Sequence, residues 1–148
     1  DIVVMNKEEA SMATGIVVRP DTKTEKFSKE IIHTDIKAML KALKIKDYQL
    51  VVITDGNKGA YAYGGEKYYF CPIYPSDVVS TLGAGDAFAS TFCAALIRTK
   101  IDIGESLMYA SVNSAPVGSK FGATEGLLTF DEIENALKHD KDYTYLVC

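Results

Sequence analysis

The chain has 148 residues, of which 47% are hydrophobic and 24% charged, and its formal net charge is −4 at pH 7. This composition is typical of a single globular domain and excludes a disordered chain. The acidic balance argues against a nucleic-acid-binding protein, and no apolar run approaches the ~20 residues that a membrane helix needs.

The first third of the chain predicts a strand and two helices. Residues 2–5 form a continuous apolar run, which is typical of a strand buried on both faces. A short helix is expected to follow, through residue 12. Ser28 can cap a longer helix that runs to about residue 43, because apolar side chains recur along one stripe of that segment.

The middle of the chain predicts a buried strand and a hairpin. The run 50–54 is apolar and β-branched, which indicates a strand inside the sheet. The aromatic runs 60–63 and 67–71 flank Gly64-Gly65-Glu66, and this pattern predicts a β-hairpin. An apolar, alanine-rich helix is expected directly after Gly85.

Two further helices are predicted near the end of the chain. The first begins at Asp102 and runs to about residue 114, before Pro116. The second covers 133–137, behind a capping box formed by Thr129 and Glu132. The order of elements predicts an α/β fold: a Rossmann-like layered sheet with helices on both faces, mostly parallel, with one antiparallel hairpin.

The three cysteines, Cys71, Cys93 and Cys148, are too widely spaced for a disulfide framework or a zinc motif. We therefore expect a cytoplasmic protein in which Cys71 and Cys93 are ordinary buried side chains.

The turn Gly83-Ala84-Gly85-Asp86 carries most of the chemical information in the sequence. A glycine turn that leads into a helix offers free backbone N–H groups and the positive end of the helix dipole, which together suit a phosphate or another anion. A dinucleotide-binding turn would need a third glycine where Phe88 stands, and a P-loop would need Gly-Lys-Ser/Thr. A tight turn without a ligand is the alternative.

Four ordered motifs resemble the ribokinase/PfkB family of small-molecule kinases. Residues 81–88, Thr-Leu-Gly-Ala-Gly-Asp-Ala-Phe, are similar to the family's C-terminal signature. The segment 6–9 resembles its Asn-x-x-Glu motif, and 54–60 resembles its Thr-x-Gly-x-x-Gly-Ala loop. Phe121-Gly122-Ala123 with Gly126 resembles the late element that closes the nucleotide pocket. The resemblance implies a ribokinase-like fold of which this chain is only the C-terminal half.

The resemblance implies catalytic roles for the glycine turn. Asp86 would be the base that deprotonates the acceptor hydroxyl, and the N–H groups of Gly83, Ala84 and Gly85 would form the anion hole for the transferring phosphoryl group. An Asp86 that only complements the helix dipole is the alternative.

The resemblance also implies a site for ATP and Mg²⁺. Asn6 and Glu9 would lie near the Mg²⁺, although an N-cap and its capping-box partner would explain the same spacing. The nucleotide-binding positions would be Thr54, Gly56, Gly59, Thr81, Asn113, Gly122 and Ala123. Thr54 and Gly56 are alternatively a strand end and its turn, and Asn113 is alternatively a solvated or locally bonded helix residue.

Ser80 departs from the family pattern, which usually has Asp at this position and uses it to help hold a monovalent cation. Serine removes that negative charge, although Asp77 lies three residues upstream. We therefore expect weak or absent activation by K⁺.

The function implied by the resemblance is ATP-dependent phosphorylation of a sugar or sugar-like molecule. Residues 1–148 would be the nucleotide-binding and catalytic portion of a larger kinase whose N-terminal substrate half and lid are absent here. We expect no nucleic-acid or membrane partner, and either a homodimer or association with the missing half. A non-catalytic nucleotide-binding or assembly module and a vitamin-type kinase, for pyridoxal or a thiamine precursor, are the alternatives.

Overall fold

The structure, a computed structural model, describes residues 1–19, 32–76, 83–118 and 126–148. These residues form one sheet with helices on both faces. In chain order the elements are β1 (Ile2–Asn6), α1 (Lys7–Thr14), α2 (Thr34–Leu43), β2 (Leu50–Thr54), β3 (Ala60–Gly64), β4 (Lys67–Cys71), α3 (Ala84–Arg98), α4 (Ile103–Gly118), α5 (Phe130–His139) and β5 (Leu146–Val147).

The five described strands lie in the order β1-β2-β3-β4-β5. β1 and β2 are parallel, with Ile2 opposite Leu50 and Asn6 opposite Thr54. The pairs β2–β3, β3–β4 and β4–β5 are antiparallel. The α/β fold with helices on both faces is confirmed, but the expectation of a mostly parallel sheet is wrong. β2, β3 and β4 are joined by short turns instead of helical crossovers, and β5 pairs antiparallel with β4 after α3, α4 and α5.

Alternation along β2 divides the core into two layers. Val51 and Ile53 are fully buried against α1 and α2, where they contact Ala10, Met39 and Leu40. Leu50 and Val52 face the other side of the sheet and join Phe88, Phe92 and Leu107 from α3 and α4. A strand buried on both faces has to be apolar throughout, which is why the run 50–54 is so readily identified.

The helix ends follow local capping chemistry. In α5 the predicted box is present: Thr129 Oγ1 accepts from the N–H of Glu132, and the Glu132 carboxylate accepts from the N–H of Thr129 at 2.7 Å. Asp102 Oδ1 accepts from the N–H of Glu105 at 2.7 Å and caps α4.

Several helix boundaries differ from the prediction: α1 extends to Thr14, and α5 covers Phe130–His139 instead of 133–137. α4 continues past Pro116 to Gly118, although proline cannot donate a hydrogen bond to the preceding turn. α2 begins at Thr34, where His33 Nδ1 accepts from the N–H of Asp35 at 3.1 Å, and Ser28 lies outside the described residues. None of the described helices has the length and apolarity required to cross a membrane.

The cysteines divide between buried and exposed positions. Cys71 is fully buried at the end of β4, as expected, whereas Cys93 is exposed. The latter expectation is wrong because the buried stripe of α3 contains Phe88, Phe92 and Ala95, so that Cys93 lies on the opposite side of the helix.

Candidate functional site

A cleft of about 540 Å³ lies where the carboxyl ends of β1 and β2 meet the N-terminus of α3. Five parts of the chain line it: the β1–α1 junction, the loop between β2 and β3, the segment after β4, the first turns of α3, and one face of α4. The lining residues are Asn6, Glu8, Thr54, Gly56, Asn57, Gly59, Ile73, Ser76, Ala84, Gly85, Phe88, Ser111, Ser114 and Ala115.

Asn6 ends β1 and caps α1. Its side-chain oxygen accepts from the N–H of Glu9 at 2.8 Å, and Glu9 Oε2 accepts from the N–H of Asn6 at 2.9 Å. The capping box is therefore formed, as its spacing allowed. Asn6 also lines the cleft, whereas the acidic residue of this motif that lines it is Glu8 and not Glu9. Both carboxylates are exposed beside Asn6.

The loop after β2 is a compact turn that places Thr54, Gly56 and Gly59 on the cleft. The N–H of Asp55 donates to the Gly59 carbonyl at 2.8 Å, which closes the loop around a 3₁₀ turn. Gly59 has φ +116°, and a Cβ at this position would lie 2.2 Å from the Cys71 carbonyl oxygen. Glycine is required here because the loop lies directly against the end of β4.

The N-terminus of α3 borders the cleft. Gly83 is the N-cap in a left-handed conformation, with φ +81°, and no side chain of the described residues caps this helix. The N–H groups of the first turn have no partner within the helix, and Ala84 and Gly85 line the cleft. Asp86 lies in the same turn with an exposed side chain. An anion above this turn would meet backbone donors and the positive end of the dipole.

Asn113 is not brought to the cleft. It is 6% exposed, its Nδ2 donates to Thr91 Oγ1 at 2.8 Å, and its Oδ1 accepts from the N–H of Leu128 at 2.7 Å. Of the alternatives, the structure places this asparagine as a locally bonded residue between α3, α4 and the segment before α5.

The wall formed by α4 was missed by sequence reasoning. Ser111, Ser114 and Ala115 lie three and four residues apart, so they share one face of α4, and this face lines the cleft. Ser111 Oγ accepts from the N–H of Tyr74 at 3.0 Å and donates to the Pro72 carbonyl at 3.3 Å. The sequence did offer one signal for this wall, namely small residues at helical spacing. Small residues that pack in a helix interface show the same spacing, so the signal does not distinguish the two.

Behind this wall, a buried pair fixes the chain as it leaves β4. Tyr143 donates to the Pro72 carbonyl at 2.7 Å, and its hydroxyl lies 3.2 Å from Cys71 Sγ. Burial raises the pKa of the Cys71 thiol to about 11 and also raises the pKa of Tyr143. Both groups therefore remain protonated at neutral pH. Their contacts hold the chain in place at Pro72, where it leaves β4.

Several predicted positions lie outside the described residues: Asp77, Ser80, Thr81, Gly122 and Ala123. Within the described residues, no group of three or more His, Cys, Asp or Glu side chains is placed to hold a metal ion. Mg²⁺ does not require such a group, since it keeps several waters and is commonly held by one or two carboxylates together with substrate phosphates. The exposed carboxylates of Glu8 and Glu9 beside Asn6 fit that requirement.

Comparison with known proteins identifies the same family as the motifs. Residues 1–129 match the model of the pfkB family carbohydrate kinases. The chain is 38% identical over 96 residues to 5-dehydro-2-deoxygluconokinase of Shouchella clausii, an alignment that covers 64% of this chain and 29% of that protein.

Solved structures share the fold. Ribokinase from Cryptococcus neoformans, solved with ADP, has a TM-score of 0.70 and 23% identity, covering 93% of this chain and 45% of its own. An Escherichia coli protein classed as a ribokinase II, solved with ATP and Mg²⁺, has a TM-score of 0.68 and 24% identity, covering 94% of this chain and 39% of its own. The chain thus spans less than half the length of these relatives. Because the family model matches most of its residues, the chain belongs to the pfkB family of carbohydrate kinases.

Proposed function

We propose that this chain is the nucleotide-binding and catalytic portion of an ATP-dependent kinase that phosphorylates a hydroxyl group of a sugar or sugar-like molecule. One observation carries the proposal: a single cleft is lined by Asn6, by Thr54 and Gly56, and by the uncapped N-terminus of α3. The relative solved with ATP and Mg²⁺ and the relative named 5-dehydro-2-deoxygluconokinase support it.

The first turn of α3 and the loop after β2 have different roles in the proposed reaction. Asp86 accepts the proton of the acceptor hydroxyl as its oxygen attacks the γ-phosphorus of ATP. The bond to the β-phosphate oxygen breaks and ADP leaves. The N–H groups of Gly83, Ala84 and Gly85 stabilise the charge on the transferring group. Thr54, Gly56 and Gly59 bind the phosphates or ribose, with Thr81, Gly122 and Ala123 as further nucleotide contacts.

Mg²⁺ fits beside Asn6, where Glu8 and Glu9 offer oxygen ligands directly or through water. When bound, the ion would neutralise charge on the triphosphate. Activation by K⁺ is expected to be weak, because Ser80 replaces the usual Asp.

The acceptor site belongs to a further part of the kinase in this proposal. The chain spans 29% of the 5-dehydro-2-deoxygluconokinase relative, which leaves room for an N-terminal substrate half and a lid. The same coverage favours a second candidate, a nucleotide-binding module without turnover. Nucleotide binding is common to both candidates, and only the first requires Asp86 as a base.

The test replaces Asp86 with Asn. The chain should bind Mg·ATP in calorimetry. Turnover is measured on the chain joined to its substrate-binding part, where ADP release with a panel of sugars should fall by roughly 10²–10⁴ in Asp86→Asn while the affinity for ATP is kept. Asp131→Asn is the matched control, since Asp131 is also exposed in the first turn of a helix, α5. Equal turnover in Asp86→Asn would contradict the catalytic role, and binding of ATP without turnover in that full assembly would favour the second candidate.

A further inference from the structure

A partly buried ion pair joins the start of α1 to the loop after β2, beside the cleft. Lys7, the first residue of α1, donates from Nζ to Oδ1 of Asp55, in the loop after β2. The Asp55 side chain is 9% exposed and that of Lys7 is 25% exposed. Lys58 Nζ lies 3.7 Å from the other carboxylate oxygen, and the exposed Glu8 carboxylate lies 3.9 Å from Lys7 Nζ.

The position of this pair is what makes it informative. Asn6 and Thr54 are the last register pair of the parallel β1–β2 ladder, and both line the cleft. Lys7 directly follows Asn6 in sequence, and Asp55 directly follows Thr54. The ion pair therefore connects the two segments one residue beyond the last backbone pairing of β1 with β2.

Asp55 is also part of the loop's own hydrogen bonding. Its N–H donates to the Gly59 carbonyl at 2.8 Å, and its carbonyl accepts from the N–H of Lys58 at 3.0 Å. A carboxylate this deeply buried is costly unless it is paired. Losing Lys7 would thus leave a buried negative charge in the loop that carries Thr54 and Gly56, and among the described residues only the exposed Lys58 would remain paired with it.

We propose that Lys7 and Asp55 are positioning residues, which hold the β1–α1 junction at 6–9 and the loop 54–59 at the separation that nucleotide phosphates require. This inference rests on the proposed function. Neither side chain is assigned a contact with the nucleotide, and the pair acts through the placement of Asn6, Thr54 and Gly56. Loosening the pair should therefore weaken ATP binding more than the binding of a ligand without phosphates.

The first experiment measures nucleotide affinity in Lys7→Met. Suppose that Lys7→Met lowers the fraction of molecules whose loops are arranged to bind nucleotide to about a tenth. The Kd for Mg·ATP then rises about tenfold, because the apparent affinity is proportional to that fraction. The Kd for adenine, which has neither the phosphates nor the ribose assigned to Thr54 and Gly56, should change less than about twofold, because its binding does not depend on these loop contacts. Lys7→Arg keeps the charge and should retain most of the ATP affinity. Arg98→Met is the matched control, since it removes an ion pair with Glu134, 2.7 Å long, that joins α3 to α5.

The second experiment needs no nucleotide. Amide hydrogen exchange in peptides covering 54–59 should be faster in Lys7→Met than in the parent chain, and unchanged in Arg98→Met. If Lys7→Met does not fold, Lys7→Met with Asp55→Asn leaves no unpaired buried charge and should show the same loss of ATP affinity and the same faster exchange.

The outcomes separate the two proposals. A parent chain that binds neither ATP nor ADP overturns both. If the parent chain binds ATP and the Lys7 variants keep the same ATP affinity and the same hydrogen exchange, the proposed role of the ion pair is wrong but the proposed function is not. An equal loss for ATP and adenine also overturns it, since a merely structural defect would affect both ligands.

Discussion

At the scale of single residues, Asp35 shows how one side chain can connect two segments. Arg19 donates to its carboxylate from the backbone N–H and Nε at 3.0 Å each and from Nη2 at 2.8 Å. The Arg19 side-chain hydrogen bonds, with the backbone bond second, lower the pKa of Asp35 from 3.8 to about 2, against an opposing effect of burial. The pair ties the segment after α1 to the first turn of α2.

This lowered pKa predicts a pH dependence of stability. A carboxyl group whose pKa is lower in the folded state adds stability above its unfolded value, near pH 3.8, and loses it as the pH falls towards 2. Asp35→Asn should therefore unfold at a lower urea concentration than the parent chain at pH 7, and the difference should vanish near pH 2. Asp47→Asn, at an exposed turn position, is the control and should match the parent at both pH values.

At the scale of elements, Asn113 is the polar link between α3, α4 and the segment that enters α5. Asn113→Ala leaves the Leu128 N–H and the Thr91 hydroxyl without their partner, which should lower the free energy of unfolding by about 1–3 kcal/mol. Denaturant titration measures this loss. Asn135→Ala, on the exposed face of α5, should change stability little. An Asn113→Ala variant that is as stable as the parent but has lost nucleotide affinity would instead support the sequence-based role.

The elements that sequence predicted well are those fixed by local chemistry. Thr129 and Glu132 cap α5 as expected, and the apolar run 50–54 is the buried β2. The hairpin of β3 and β4 is confirmed as well. The continuation of α4 through Pro116 and the antiparallel pairing of β3 with β2 were not predictable in this way, because tertiary contacts decide them. β5, at Leu146–Val147, is two residues long and depends on pairing with β4.

The candidate site follows the same division. The motifs located Asn6, Thr54, Gly56 and the turn before α3, since each has a fixed local geometry. The serine-lined face of α4 was missed, because its spacing is equally typical of ordinary helix packing. The partner of Lys7 could not be inferred either, as Asp55 lies 48 residues away in sequence.

At the scale of the whole molecule, an apolar surface lies open along α3. Cys93 is exposed, Ile97 is 84% exposed and Ile101, just beyond the helix, is 75% exposed. Among the described strands β1 lies at one edge of the sheet, where Ile2 is 42% exposed. Apolar side chains of this kind and an open strand edge favour association with another protein surface.

We therefore expect the chain to self-associate, and Ile97→Lys to weaken that association. A charge in a desolvated contact should raise the dissociation constant by about tenfold or more, equivalent to about 1.4 kcal/mol. Light scattering across a wide concentration range measures this. Ile45→Lys is the control, because Ile45 is 85% exposed but follows α2 on the other face of the sheet. A parent chain that stays monomeric over the whole range would contradict the expectation.

The parallel pairing of β1 with β2 also has a consequence for the order of folding. Strands β2, β3 and β4 are connected by short turns, so they can pair with little loss of chain entropy. β1 joins only when a long loop closes between Asn6 and Leu50, and closing a longer loop costs more entropy. The antiparallel strands should therefore assemble first and β1 should dock late, so the cleft becomes complete only near the end of folding.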